Sequence, residues 1–291
     1  MPPTELNPVF VLTEPTGPAA PVVFDSPHSG ITYPSDFAPA ATRAQIRTTW
    51  DAYVHELFGA VPATGATLLA ANFPRAYLDA NRAVSDIDPE LLDSPWPEPI
   101  ELSEHARRGM GLIRRFALPG VPMYDRRLSV AEVRRRIDEC FIPYRHALRE
   151  MIDAAWRRHG AVWHFNCHSM KSRGNAMNRD AGAARPDFVI GDRDGTTASP
   201  AFTVWVAEYF TQLGYRVKIN DPYRGADIIR THGDPARGRT SIQIEINRGL
   251  YLTEATCERG PRFATLRDEL TGFAQAVAAQ AREPLARKAL P

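Results

Sequence analysis

Residues 161–169 read A-V-W-H-F-N-C-H-S, and this alternation decides the fold that we predict. Strand side chains point alternately to the two faces of a sheet. One face of this segment is therefore apolar and contains Trp163, Phe165 and Cys167. The other face is polar and contains His164, Asn166 and His168. Two imidazoles and an amide that end at a strand terminus are typical of α/β enzymes, whose sites lie at the carboxyl ends of strands.

Two further segments have the same character. Residues 241–247 read S-I-Q-I-E-I-N and place Glu245 on a polar strand face between isoleucines. Residues 22–28 form an apolar run that ends in His28. Three strand ends that carry His28, His168 and Glu245 predict one polar cleft, and the histidines indicate a metal site.

Helical patterns alternate with these strands. Apolar spacings of three to four residues predict helices over residues 42–58, 129–152, 200–213 and 262–281, with a kink at Pro143. Short strands are also predicted over residues 67–71, 111–116, 188–190 and 216–219. Such alternation predicts an α/β fold with a mixed or mostly parallel sheet. We expect residues 1–20 to form a loose arm and residues 21–291 to form a single catalytic domain.

Composition excludes several classes of protein. The chain has 291 residues, of which 44% are hydrophobic, and its 35 basic residues nearly balance its 34 acidic ones. That balance argues against a protein that binds nucleic acid or a membrane surface. The three scattered cysteines favour a reducing compartment. We find no signal-peptide pattern and no run of about 18 apolar residues, so we expect a soluble, cytoplasmic protein.

His28 and His168 are the first candidate metal ligands. A histidine in a loop such as that around His28 is usually a hydrogen-bonding residue, but a second histidine at a neighbouring strand end favours a metal. Zinc in enzymes takes three protein ligands and commonly uses neutral imidazole. The compact H-x-x-E ligand pair is absent because Ile31 occupies the acidic position. The remaining candidates for the third ligand are Asp25, Asp51, His55 and Glu56.

Asp51 is the preferred third ligand. It lies in an otherwise apolar stretch, T-T-W-D-A-Y-V, near one end of the predicted helix that follows the His28 loop. The alternative is that Asp51 caps this helix and that His55, one turn later, binds the metal.

Glu245 is the candidate general base. A carboxylate on a central strand is costly to bury unless it is paired or functional. The structural alternative is an ion pair with Arg248 or Arg230. A base beside a metal site would benefit from the raised pKa that burial gives a carboxyl group, and we favour that role.

Four polar residues in loops between strands are candidates for anion binding: Arg75, Asn81, Arg82 and Arg224. Guanidinium groups bind carboxylates through two parallel hydrogen bonds. Two such groups in a nearly neutral protein would suit a small dicarboxylate.

Six segments of this chain resemble the N-formylglutamate amidohydrolase family, which is related to zinc carboxypeptidases and aspartoacylases. They are D-S-P-H-S-G (25–30), W-D-A-Y-V (50–54), F-P-R-A-Y-L-D-A-N-R (73–82), F-N-C-H-S-M (165–170), D-P-Y-R-G (221–225) and Q-I-E-I-N-R-G-L-Y (243–251). The resemblance implies a three-layer α/β/α sandwich with a mixed sheet, similar to zinc carboxypeptidases, and one Zn²⁺ ion.

The resemblance also implies residue roles. His28 and His168 are similar to the zinc ligands, and Glu245 to the general base. Arg75 is similar to the arginine that polarises the scissile carbonyl, and Asn81 with Arg82 to the pair that holds the substrate's α-carboxylate. The family's pattern does not fix Asp51, because the wider peptidase motif H-x-x-E is missing.

The expected reaction is hydrolysis of an N-acyl acidic amino acid, above all N-formyl-L-glutamate, with Arg224 binding the side-chain carboxylate. One alternative is a zinc amidase or carboxypeptidase with another acyl or peptide substrate. Another is a protein of this fold that binds a metal or a dicarboxylate without turnover. We expect a monomer or small homo-oligomer, with residues 85–100 and 171–185 as the candidate lids.

Overall fold

A seven-stranded mixed sheet forms the centre of the fold in a computed structural model, which describes residues 8–283. The strands of the chain are β1 Phe10–Thr13, β2 Val22–Ser26, β3 Thr67–Ala71, β4 Phe116–Leu118, β5 Val121–Pro122, β6 Val162–Met170, β7 Phe188–Gly191, β8 Val217–Ile219, β9 Arg239–Asn247, β10 Leu252–Thr253 and β11 Glu258–Arg259. The large sheet has the order β1-β3-β2-β6-β9-β7-β8, and β4–β5 and β10–β11 form two small ribbons.

The four central strands β3, β2, β6 and β9 run parallel, whereas β1 and the β9–β7 pair are antiparallel. In the β6–β9 ladder His168 pairs with Glu245. The carboxyl ends of β2, β6 and β9 therefore meet at one edge of the sheet, and the residues that follow these ends come together there.

Helices cover both faces of the sheet. They are α1 Arg43–Arg47, α2 Val54–Leu57, α3 Glu104–Arg107, α4 Val130–Arg136, α5 Ile142–His159, α6 Pro200–Gln212, α7 Asp227–His232 and α8 Phe263–Arg282. Short 3₁₀ turns occur at Val61–Thr64, Pro89–Leu91, Pro235–Arg237 and Arg248–Leu250. Helix α5 packs on one face of the sheet, and α6 and α8 pack on the other. Each face of the sheet has its own hydrophobic core. The predicted three-layer α/β/α sandwich with a mixed sheet is confirmed.

The segment expected as a loose N-terminal arm contributes a strand. Phe10–Thr13 pairs antiparallel with β3 and closes one edge of the sheet. Residues 1–7 of the expected arm and residues 284–291 of the expected domain lie outside the described residues. Within residues 8–283 no helix is both long and apolar enough to cross a membrane.

The single helix predicted over residues 42–58 is wrong. The chain forms α1 and α2, and between them Tyr53 has a φ of 59° that a continuous helix would not allow. Hydrogen bonds to the His28 loop hold this break: the Asp51 N–H donates to the His28 carbonyl over 3.1 Å, and Trp50 Nε1 donates to the Ser29 carbonyl over 2.8 Å. The break brings the carboxylate of Asp51 next to the end of β2.

The kink predicted at Pro143 takes the form of a π-helical turn. Residues Ile137–Phe141 have π geometry and join α4 to α5 just before the proline, which has no N–H to donate. The strand predicted over residues 111–116 is shorter and later in the chain, at Phe116–Leu118. Residues 111–115 instead lead into this strand, and Arg114 among them lines the cavity described below.

Candidate metal and active site

His28, Asp51 and His168 form a buried cluster at the carboxyl ends of β2 and β6. One ligand atom from each lies within 4.8 Å of the others. Asp51 Oδ2 lies 3.4 Å from His28 Nδ1 and 3.0 Å from His168 Nδ1. Two nitrogens and one carboxylate oxygen that converge in this way are a donor set suited to Zn²⁺.

Hydrogen bonds on the far side of each ring orient the two imidazoles. His28 Nε2 lies 2.6 Å from Asp79 Oδ1, and His168 Nε2 lies 2.6 Å from Asn166 Oδ1. In each ring Nε2 thus has an oxygen partner, while Nδ1 faces Asp51 Oδ2 in the cluster. His28 Nδ1 is buried without a hydrogen-bond partner, as a ligand atom facing a metal position would be. These partners orient a metal-binding histidine as outer-shell residues commonly do.

The rival third ligands lie elsewhere. Asp25 accepts hydrogen bonds from Tyr144 over 2.7 Å and from Asn166 over 2.7 Å, and its Oδ1 lies 2.9 Å from His164 Nε2. Glu56 forms an ion pair with Arg259. His55 lies on the short helix α2, outside the group that could hold a metal in the described residues. The structure thus brings Asp51 to the two histidines.

Neighbouring groups stabilise the anionic form of Asp51. Its Oδ1 accepts a hydrogen bond from Arg248 Nη2 over 2.8 Å and lies 3.8 Å from Arg75 Nη1. Burial by itself raises the pKa of Asp51, but the close contacts with His168 and His28 and the charge of Arg75 outweigh it and hold the pKa well below the usual range. The carboxylate is therefore present in the charged form that binds a cation.

Glu245 lies beside the cluster without a cationic partner among the described residues. Its side chain is only 7% exposed, and Oε1 accepts a hydrogen bond from Gln243 Nε2 over 2.8 Å. The expected alternative partners are engaged elsewhere, since Arg248 binds Asp51 and Arg230 binds Asp227. Burial raises the pKa of Glu245 above its usual value, although the electrostatic effects of His168 and Arg75 oppose the shift.

Asn81 connects the two halves of the cluster. Its Nδ2 donates to Asn166 Oδ1 over 3.1 Å and to Gln243 Oε1 over 3.3 Å, and its Oδ1 accepts the Ile228 N–H over 2.8 Å. Asn166 holds His168, and Gln243 holds Glu245, so this amide fixes the relative positions of a metal ligand and the candidate base. Protein groups thus already occupy the polar atoms of Asn81.

The predicted arginines differ in position. Arg75 Nη2 donates to Asp79 Oδ2 over 2.7 Å, and Arg82 is buried and donates to the carbonyls of Met110 and Asn81. Both line the same cavity as the cluster. Arg224 lies at the rim, with its side chain 61% exposed and paired with Asp194 over 3.0 Å.

The cavity above the cluster has a volume of about 390 Å³ and a strongly basic wall. Ten arginine or lysine side chains line it, against three carboxylates, Glu104, Asp180 and Glu245. In a chain of net charge +1, this concentration of cations at one place predicts an anionic ligand. The cavity is large enough for a small molecule.

Comparisons with known proteins identify the family. The sequence model of N-formylglutamate amidohydrolase matches residues 20–252. This chain belongs to the N-formylglutamate amidohydrolase family. It is 46% identical to the N-formylglutamate amidohydrolase of Ralstonia eutropha, whose crystal structure superposes with a TM-score of 0.89 over 94% of this chain and 98% of that one. It is 23% identical to the N-formylglutamate deformylase of Pseudomonas putida, over 80% of this chain and 82% of the relative. The deformylase of Pseudomonas aeruginosa is 24% identical, over 80% and 83%.

Several residues of this family member were not singled out from its sequence. Asp79, which holds both His28 and Arg75, lies in the motif D-A-N-R, where only the asparagine and arginine were considered. Arg114 and Lys171 line the cavity, but no local pattern distinguishes them from surface cations. Of the two candidate lids, residues 171–185 border the cavity, whereas no residue of 85–100, all of which are described, lines it.

Proposed function

We propose that the protein hydrolyses the formyl amide of N-formyl-L-glutamate and releases formate and L-glutamate, with one Zn²⁺ ion held by His28, Asp51 and His168. The observation that carries this proposal is the buried, unpaired Glu245 beside the His-Asp-His cluster, in a chain of the N-formylglutamate amidohydrolase family. A carboxylate without a cation at this place has the position of a base.

A bound zinc ion would supply a Lewis acid and lower the pKa of water in the cavity. Glu245 accepts a proton from the attacking water as its oxygen bonds to the formyl carbon. The same carboxyl group then donates that proton to the amide nitrogen, and the C–N bond breaks. The remaining hydroxyl proton passes to the amine, so the products are formate and the ammonium form of glutamate. A raised pKa suits Glu245 to both transfers.

Arg75 stabilises the developing negative charge on the formyl oxygen. Asp79 and Asp51 fix its guanidinium, and their charges outweigh burial and raise its pKa, so it stays cationic. One well-placed donor to an oxyanion contributes about 3 kcal/mol to transition-state stabilisation.

Arg82 binds the α-carboxylate of the substrate. Asn81 positions the guanidinium of Arg82, which donates to the Asn81 carbonyl. Arg82 is buried in the cavity wall, and hydrogen bonds from Nε and Nη1 to main-chain carbonyls fix its guanidinium. Its Nη2 lies 3.9 Å from Asp79, beyond hydrogen-bond distance, which supports this role. For the side-chain carboxylate the sequence favoured Arg224. The exposure of that side chain and its pairing with Asp194 weaken this assignment.

Formate release tests the proposed function and separates it from the alternatives. Zinc-loaded protein is assayed with N-formyl-, N-acetyl- and peptidyl-glutamate. We expect kcat/KM for the formyl substrate to exceed that for acetyl by about 10- to 100-fold, the range that one extra methyl group gives. Preference for the acetyl or peptidyl substrate would support another amidase or a carboxypeptidase. Binding of zinc and glutamate without formate release would support a binding protein.

The cationic cavity predicts a pH-dependent KM. Lys171 is half-buried in the wall, and burial together with the charges of Arg248 and Arg114 lowers its pKa to about 8, although Glu254 opposes the shift. Lys171 loses its charge as the pH rises through this value, so we expect KM for N-formylglutamate to increase between about pH 7 and pH 9. In Lys171→Met this increase should be smaller. Equal pH profiles of KM for the two proteins would refute a role of Lys171 in binding.

A further inference from the structure

Arg114 is a buried cation that has no carboxylate partner within residues 8–283. Its side chain lines the cavity, and the residue is only 7% exposed. Among the described residues it forms no ion pair, and its one hydrogen bond, from Nε to the Phe116 carbonyl, is 3.4 Å long. Removing a guanidinium from water without a counter-charge costs several kcal/mol, so a site of this kind favours an anion.

Its neighbours increase the need for an anion. Asp79 and Asp51 form ion pairs with Arg75, whereas they act on Arg114 only at longer range, against the charges of Arg75 and Arg82. Burial lowers the pKa of Arg114 to about 9, and the charge of Arg75 adds to this effect. Lys171 is a second cation in the field of Arg114 and likewise forms no ion pair with a described carboxylate. A negatively charged ligand would compensate the positive charges of both Arg114 and Lys171.

The proposed substrate has two carboxylates. Arg82 is assigned to the α-carboxylate, so a second cationic position is needed for the one on the side chain. Arg224 lies at the rim in a solvated ion pair with Asp194. Replacing Asp194 by a substrate carboxylate in this exposed pair would contribute little binding free energy. Arg114 is desolvated, and its terminal nitrogens form no hydrogen bond or ion pair with a described residue, so a carboxylate bound there gains a strong charge-assisted interaction.

We infer that Arg114, assisted by Lys171, binds the side-chain carboxylate of the substrate and determines the selectivity for an acidic amino acid. This inference rests on the proposed function. An uncharged side chain would leave the buried guanidinium unpaired, so the residue both favours the dicarboxylate and disfavours neutral analogues. Selectivity would thus come from inside the cavity and not from its rim.

The test compares N-formyl-L-glutamate with N-formyl-L-glutamine, which has the same shape without the second charge. We expect wild type to prefer the glutamate substrate by about 100-fold in kcat/KM, the range for a charged hydrogen bond in a buried site. Arg114→Met should lose most of this preference through a higher KM for the glutamate substrate, while kcat/KM for the glutamine substrate does not fall and rises if the unpaired guanidinium had disfavoured it. Arg114→Lys should recover part of it. Arg237→Met, the same change in an exposed arginine outside the cavity, should behave as wild type.

Three outcomes would overturn the inference. Equal losses with both substrates in Arg114→Met would indicate a structural role. An unchanged preference in Arg114→Met would exclude the residue from recognition. Loss of the preference in Arg224→Met, with retention in Arg114→Met, would return the role to Arg224.

Failure of the proposed function gives a different result. Wild type would then release formate from neither substrate. Calorimetric binding of L-glutamate and L-glutamine to wild type and Arg114→Met still tests the residue, because it needs no turnover. Tighter binding of L-glutamate that depends on Arg114 would support it as a dicarboxylate-binding residue, and binding that does not depend on Arg114 would refute it.

Discussion

Replacement of Glu245 by glutamine should lower kcat for formate release by about 10³- to 10⁴-fold, while the metal content stays that of wild type. Glutamine preserves the size of the side chain but cannot accept a proton from water or return it to the amine. General acid–base catalysis contributes up to about 10⁴-fold, and here one group serves both transfers. Glu245 is not among the three residues of the metal cluster, so metal content should not change.

Three measurements make this prediction specific. Metal per chain and the affinity for L-glutamate should match wild type, which shows that the cavity is intact. Glu258→Gln, a matched change of an exposed carboxylate on β11, should leave kcat unaltered. Glu245→Asp, which keeps the base but shortens it, should be intermediate. A metal-bound Glu245→Gln protein with near-normal kcat would refute the assignment of the base.

The central sheet was predictable because its strands differ in character on their two faces. Ile242, Ile244 and Ile246 alternate with polar residues, and such a pattern fits only one orientation of a strand between two layers. The convergence of the strand ends follows from parallel pairing, which places the polar residues of β2, β6 and β9 at one edge. The general position of the site was therefore evident from the sequence.

The parts that were not predictable depend on contacts between distant segments. The apolar residues around Asp51 have the spacing of a helix, but hydrogen bonds to the His28 loop interrupt the helix there. Arg114 lies in a stretch predicted as a strand, and its significance comes from the lack of an ion pair with any carboxylate of the described residues. Local sequence patterns show which residues are apolar. They do not show which charged side chains lack an ion-pair partner after folding.

Replacement of Asp51 by alanine should abolish both metal retention and formate release. Loss of an outer-shell partner weakens metal binding by about 10- to 100-fold, and loss of a direct ligand should exceed this. Asp51→Asn keeps an oxygen that accepts from Arg248 but removes the negative charge, so it separates loss of metal from loss of packing. Metal per chain after dialysis, and formate release before and after added Zn²⁺, measure the two effects.

The rival ligands provide the controls for Asp51. His55→Gln and Glu56→Gln change the two candidates that follow it in the chain, and both should retain the metal because neither side chain belongs to the cluster. Chelation should inactivate wild type, and added Zn²⁺ should restore it, whereas Asp51→Ala should stay inactive under the same treatment. If Asp51→Asn binds zinc as tightly as wild type while His55→Gln or Glu56→Gln loses it, the third ligand is not Asp51. The break between α1 and α2 would then serve only to anchor the His28 loop.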